Sequence, residues 1–382
     1  MEKQNMNIQS GFCKRLLLVL FAAVIAVCFY TISQVHRVPL MENGGRSFVK
    51  AQVVSIVQDH EQAGDIYIGD QTVQLKLLTG NHAGETVQAI SSSAYLYGVH
   101  CTVGMKVIAI VSESGGELVT SVYGYNRAPA LYAIVGLFLL SILIIGGKRG
   151  LYAVIGLLFT FVSIIWFFLP ALYRGWSPIL AAIVVVILTT LVTMYLVGGF
   201  TAKATVAVIG TVLGVLAAGV LAWIFGKVTH VTGYNVSDIE NLIYVQEETG
   251  IQVGELLFAG ILIAALGAVM DVSMSISSTL QELYDQNPTM TARQLFRSGM
   301  TVGRDMMGTM SNTLILAFVG GSINTIVMFY AYDYEYLQLI NLFDMAIEIM
   351  QGISASMGVI LTVPLVSFIG AWMIANRHRD IS

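Results

Sequence analysis

The sequence predicts an α-helical polytopic membrane protein of about eight transmembrane helices, with a small all-β extracytoplasmic domain inserted after the first helix. Three observations carry that prediction. Of 382 residues, 56% are hydrophobic and only 11% charged, where soluble domains carry roughly a quarter charged residues. The apolar residues gather in about eight runs near the ~20 residues that a bilayer demands. Between the first and second run lies a polar stretch whose short segments alternate apolar and polar residues. The chain therefore divides into an N-terminal membrane anchor (1–35), a β-domain (36–128), a transmembrane bundle (129–376) and a short tail (377–382).

The first run, 16–34, follows Lys14 and Arg15, as a signal peptide would. A small-x-small cleavage site is offered only by Thr31 and Ser33, so the run reads as an uncleaved anchor, with a cleaved signal as the alternative. The polar stretch holds strand-like runs such as "RSFVKAQVVSIVQD", "QTVQLKLL", "MKVIAIVS" and "ELVTSVY", separated by glycine-containing turns. Five or six strands in so short a segment predict a small barrel of OB or SH3-like type. Tyr95 and Tyr97 within it read as core or contact residues, and no catalytic constellation is visible.

The remaining runs are 130–147, 150–170, 178–198, 204–226, 255–277, 306–329 and 345–374. Lysine and arginine orient them. With the N-terminus inside, Lys148, Arg149, Lys203, Arg293, Arg297, Arg304, Arg377 and Arg379 fall on the cytoplasmic side, and the short external loops hold only Arg174 and Lys227. The positive-inside rule then places both termini in the cytoplasm and residues 36–128 outside. After the sixth run, Asn287 and Pro288 predict the cap and first residue of a separate interfacial helix.

The chemistry centres on a carboxylate in the sixth run, Asp271. Gly260, Ala264, Gly267, Asp271, Ser275, Ser278 and Glu282 are spaced to share one helix face. Small residues invite a second helix to approach, which aims the acid at protein. An ionised acid in hydrocarbon costs a few kcal/mol or more, so it needs a donor, a cation or a proton. The seventh run supplies Asn312, expected level with Asp271 across an antiparallel hairpin, together with Arg304, Asp305, Gly308 and Thr309. Two readings stand: an ion or proton site, and a buried hydrogen-bond clamp. In the last run Asp344 and Glu348 lie on one stripe, Glu348 as a candidate for an outer vestibule. Pro364, with Gly352 and Gly358, is expected to loosen that helix. Acidic residues before the sixth and eighth runs would draw cations to the outer side.

Other classes are excluded by what the sequence lacks. The net charge of −4 and the absence of basic runs argue against nucleic acid. There is no Gly-x-Ser-x-Gly, HExxH or P-loop, so the chain reads as no enzyme, with no catalytic residues, cofactor or metal site.

The stretches "GAVMDVSMSISSTLQEL" and "GRDMMGTMSNTLILAFVGGS" resemble the YibE/F family of bacterial multi-span membrane proteins, common in Gram-positive organisms. The likeness covers roughly residues 128 to 376, and the anchor with its β-domain is similar to the longer, YibE-type members. The same hairpin is more weakly similar to SecD/SecF and RND-type proton-driven proteins, a likeness that implies Asp271 as the protonatable group with Arg304, Thr309 and Thr313 around it. A secondary, proton- or ion-coupled transporter of an unknown small solute or ion is one expectation. A non-transporting scaffold or sensor whose β-domain binds an envelope partner is the other. Beyond the lipid bilayer, a paired YibE/F-family subunit or a second copy of the chain is the partner that the resemblance implies.

Overall fold

The structure is a computed structural model that describes residues 24–25, 27–35, 45–63, 66–92, 98–114 and 117–376. Lys14, Arg15, Tyr95, Tyr97, Arg377 and Arg379 lie outside the described residues. The chain separates into two compact units, Pro39–Ser141 on one hand and Met1–Val38 with Ile142–Ser382 on the other.

Among the described residues the first of these holds seven strands: β1 (Arg46–Gln58), β2 (Glu61–Ala63), β3 (Ile66–Ile68), β4 (Gln71–Leu77), β5 (Thr86–Ser91), β6 (Lys106–Ser114) and β7 (Glu117–Tyr125). Five of them close into a barrel in the order β1-β4-β5-β7-β6, while β2 and β3 form a separate two-stranded sheet. The period-2 pattern explains the closure. Val49, Ala51 and Val53 of β1 and Val73, Leu75 and Leu77 of β4 are buried, and Lys50, Gln74 and Lys76 between them are exposed. Ala51 sits opposite Leu77 on one side and Val107 on the other, so a single inward position joins three strands. A register shift between Val53 and Ser55 breaks the alternation and leaves Val54 outside. Gln71 is among the polar side chains that enter the core. Gln71 donates from Nε2 to Asp59 Oδ1 (2.9 Å) and to the Cys101 carbonyl (3.0 Å), and its Oε1 accepts from the Cys101 N–H (2.7 Å). Its burial is tolerable because its polar groups find partners.

The second unit is helical. The helices are α1 (Ala128–Ser163), α2 (Leu169–Tyr173), α3 (Pro178–Gly198), α4 (Ala202–Thr229), α5 (Ile239–Thr249), α6 (Leu256–Gln286), α7 (Ala292–Gly321), α8 (Ile323–Ala331), α9 (Tyr336–Ile340) and α10 (Phe343–Asn376). Among the described residues five helices are long and apolar enough to cross a membrane, and six if the bent pair α7–α8 is one span. α1 begins in the first unit and runs through a π-helical turn, Ile164–Phe168, into α2. Its 46-residue run would be about 69 Å long if straight, over twice the thickness of the hydrocarbon core. It is broken at Gly147, whose φ of 53° and ψ of −129° suit glycine alone. Just beyond, a side chain at Gly150 would meet the carbonyl of Ile142. Residues that far apart in a straight helix are separated by about 12 Å, so the chain turns back sharply here.

Local chemistry sets the other boundaries. Ser177 caps α3 and Pro178 occupies its first turn, where a missing N–H costs nothing. Thr201 caps α4 in the same way. The helix expected from Asn287 and Pro288 begins instead at Ala292. Thr291 and Gln294 form a reciprocal capping box there, which satisfies orphan donors at both ends of the pair. Nor is that helix separate from the seventh span: the interfacial segment and the span form one continuous helix, α7. α10 runs unbroken through Pro364.

α10 is the central post of this unit, packed against α4, α6 and α7. Glycines permit the approach. A methyl at Gly210 of α4 would meet Val366, one at Gly214 would meet Thr362 and Val269, and one at Gly303 of α7 would meet Val363 and Ile276. These form two small-xxx-small pairs, Gly210–Gly214 and Gly299–Gly303, the spacing that lets membrane helices close up. The described part of the first apolar run packs here too. Ile25 and Phe29 are buried, and Phe29 lies against Phe159 and Phe167 with ring centroids 6.0 and 5.5 Å away. The Arg174 guanidinium donates to the carbonyls of Thr31 and Gln34.

Candidate functional site

α7 ends at Gly321, and after Ser322 the chain bends by 61° into α8. The bend opens a cavity of about 510 Å³ between α7, α8, the start of α10 and the turn before α5, within the range of roughly 300–1,000 Å³ typical of ligand pockets. Phe318, Ser322, Thr325 and Phe329 line it from the broken span, Ser237 from the turn, and Asp344, Glu348 and Gln351 from α10. Asp344 and Glu348 are one helical turn apart and so share a face. Among the described residues no lysine, arginine or histidine lines the cavity. Among the described residues no hydrogen bond or ion pair engages either carboxylate. Asp344 has a local explanation, since an acid in the first turn of α10 is favoured by the helix dipole. Glu348 lies beyond that turn, half-buried, and has none.

Such a wall can do two things. Its unneutralised negative charge raises the local concentration of cations. Its phenyl faces and serine and threonine hydroxyls can accommodate a body that is partly apolar, while a carboxylate holds the charge.

Other residues singled out from sequence lie elsewhere. Asp271 does not line the cavity. It is exposed on the outer side of α6, together with Gly260, Ala264 and Gly267. A methyl at Gly260 or Gly267 would meet nothing within 4 Å. The expectation that this small-residue stripe packs on a neighbouring helix of the same chain is therefore corrected. The opposite face, with Leu262, Leu266, Val269 and Ile276, carries more apolar bulk and takes the core. Ser275 and Ser278 are half-buried at the stripe's inner end.

α7 behaves alike. Met307, Met310, Leu314 and Phe318 pack inward, while Arg304, Asp305, Gly308, Thr309 and Asn312 are exposed. Gly308, too, has open space where packing was expected. The contact of Gly303 with Ile276 sets the antiparallel register of α6 and α7. It brings Asp271 level with Gly308, so Asn312 stands one turn, about 6 Å, beyond the level expected for it. Asp271, Arg304, Asp305 and Asn312 have no side-chain hydrogen bond or ion pair among the described residues.

The sequence reading missed the break at Ser322 and the aromatic residues beside it. "GGSIN" was the available signal: two glycines and a serine inside an apolar run, a weak point for a helix. It also missed the glycine pair on α4, legible as Gly-x-x-x-Gly at 210–214.

Long apolar helices interlocked by glycines, with a closed β-barrel as a second unit, define a polytopic helical membrane protein carrying a small all-β domain. A model of the YibE/F-like protein family matches residues 134–376, more than half of the chain, and the chain belongs to that family. No curated protein and no solved structure matches it.

Proposed function

We propose that this YibE/F-family protein is a secondary transporter driven by or carrying a cation, with the cavity at the broken span as its binding site and Glu348 as the charge that holds the cation. One observation carries the reading: two carboxylates without basic partners line a ligand-sized cavity where a membrane span is interrupted. Interrupted spans are where transporters place their sites, because freed backbone groups and a hinge occur together.

The wider organisation follows from the same reading. Eight spans are supported by five long helices, the bent pair counted as a sixth, the reversal at Gly147 and the packed N-terminal helix. Eight spans put both termini on one side, the cytoplasmic side by the lysine and arginine distribution. Residues 36–128 then face outward in a bacterial cytoplasmic membrane. Closure of five strands in the order β1-β4-β5-β7-β6 supports an OB-like barrel for that domain. The chain acts without enzymatic chemistry.

The test uses proteoliposomes holding a pH-sensitive dye under imposed sodium and potassium gradients. Wild type should move protons or exchange cations, and Glu348→Gln should fall to the level of empty liposomes at equal protein incorporation. Full activity in Glu348→Gln would end the assignment.

A second reading has its own support: the outward position of Asp271 suits a membrane scaffold assembled through α6 and α7. It predicts no flux in any gradient, and loss of a captured envelope partner when residues 46–127 are deleted.

A further inference from the structure

A second cavity, of about 280 Å³, lies between α3, α4 and α6, with Ile179, Ile183, Leu216, Val220, Trp223 and Phe258 among its walls. Among the described residues, no charged or hydroxyl-bearing side chain lines it. It is reached from outside the bundle, because Val220 and Trp223 are both more than half exposed. All three helices are long and apolar enough to cross a membrane, so the groove opens onto acyl chains. It lies toward one end of the three spans. α3 begins at Pro178 and α6 at Leu256, and Trp223 stands about 9 Å short of the end of α4 at Thr229. From Trp223 inward to Leu216 is about 10 Å more. One turn from Trp223 toward the helix end, on the same face, comes Lys227. Its Nζ lies 6.0 Å from the centre of the Trp223 ring, the outer limit of a cation–π contact. Lys227 is exposed and, among the described residues, makes no hydrogen bond or ion pair. The carbonyl end of α4 favours a cation in that turn but offers it no counter-charge. Arg174, the other basic residue of the short external loops, is by contrast engaged by the carbonyls of Thr31 and Gln34.

We infer that this groove is a phospholipid site, with an acyl chain lying along α4 from Trp223 toward Leu216 and the phosphate paired with Lys227. Charge complementarity selects the occupant. An apolar slot with an unpaired ammonium at its mouth, at the level where three spans end, matches a molecule that joins a hydrocarbon chain to an anion at the membrane border. Trp223 stands between the two parts, as an indole at that border does, its apolar body beside the chain and its N–H toward the polar side. An apolar helix of another protein would leave Lys227 without an anion, and a soluble anion would leave the groove unfilled. The inference goes beyond the transport reading, since the lipid can be held or absent whatever the cavity at Ser322 does.

The test counts bound lipids. The full chain, purified in a non-ionic detergent and stripped of lipid, is titrated with dioleoyl phosphatidylglycerol and read by native mass spectrometry. Dioleoylglycerol, with the same chains and no phosphate, is the second probe. Wild type should take up one phosphatidylglycerol well before further copies add, and should bind dioleoylglycerol several-fold more weakly. Lys227→Ala should weaken that first step about fivefold, and Lys227→Arg should keep it. Val220→Trp puts bulk into the groove from an exposed position and should abolish the tight step. Both positions are exposed, so the lipid-free melt of each variant should match wild type, which separates lost binding from misfolding. Equal binding of the two probes overturns the inference, as does a Lys227→Ala affinity equal to that of wild type. A tight step that survives Val220→Trp overturns it too, because the lipid then lies outside the groove. A wild-type dimer that carries no lipid overturns it in favour of a second copy over this face.

Discussion

The inner and outer faces of α6 carry the same kinds of residue to opposite ends. Inward, this helix meets glycines of α4 and α7: Val269 stands over Gly214, and Ile276 over Gly303. Outward, its own glycines, 260 and 267, stand in open space beside a charged residue. The difference teaches that small residues in a membrane helix announce a close approach without saying which chain makes it. Bulk decides the inward face, because branched side chains fill volume against α10. The stripe of glycine, alanine and acid is left for whatever lies outside the protomer.

Matched substitutions break or sharpen that contrast. The largest effect is expected at the inner face. Gly214→Ala drives a methyl into Thr362 and Val269, and overpacking of this kind costs typically 1–3 kcal/mol, sometimes more. The detergent-solubilised protein should melt several degrees lower. A melt equal to wild type would show that α4 and α10 are not interlocked as described. Next comes Asp271→Leu. Were the acid a buried clamp, its loss would lower the melt of the isolated protomer; on an outer face it should leave that melt unchanged or raise it. Smallest on the bundle is Gly267→Ala, with no neighbour within 4 Å. The helix propensity of alanine should give a gain of at most about 1 kcal/mol, seen as an equal or slightly higher melt.

A further small effect belongs to the barrel, where contacts are polar and wet. The His82 imidazole lies 2.8 Å from Glu113 and 3.3 Å from Glu85. Glu113 above all, then Glu85, raises its pKa above the ordinary 6.5. A raised folded-state pKa means that the protonated form favours the folded barrel. The contribution is complete below the unfolded value and fades as pH climbs through the folded one. Amide exchange around residues 78–85 in the full chain should therefore be slower at roughly pH 5.5 than intrinsic rates predict, relative to roughly pH 8.5. Glu113→Gln should shrink that difference, and an unchanged difference would assign it to another group.

The fold was largely legible. The barrel strands follow the apolar alternation, and helix α3 occupies the stretch 178–198 that its composition marks. Gly147 lies where two apolar runs meet a lysine and an arginine. The candidate site was less legible for a physical reason. Glu348 and Asp344 could be placed on one stripe by spacing, but the cavity they line exists because α7 breaks at Ser322. A break depends on which backbone hydrogen bonds the tertiary structure leaves unmade. The orientation of α6 was misread for a related reason. Its outer stripe is the conspicuous one, while the decisive glycines sit on α4 and α7, across from residues that look merely greasy. Helix α7 was misdivided because Pro288 drew attention from Thr291 and Gln294, whose reciprocal bonds start it.

Closure of the barrel has a consequence for how this domain can meet other molecules. β1, β4 and β6 are hydrogen-bonded to a neighbour on both sides, whereas β5 and β7 are joined at a single parallel pair, Ile90 and Ser121, so that seam is the part of the wall least closed to an added strand. Elsewhere on the wall recognition uses side chains on its curved outer surface, Phe48 and Tyr123 among them, whose rings meet edge to face at 5.2 Å. Among the described residues, backbone-to-backbone capture is left to the β5–β7 seam and the short ribbon of β2 and β3.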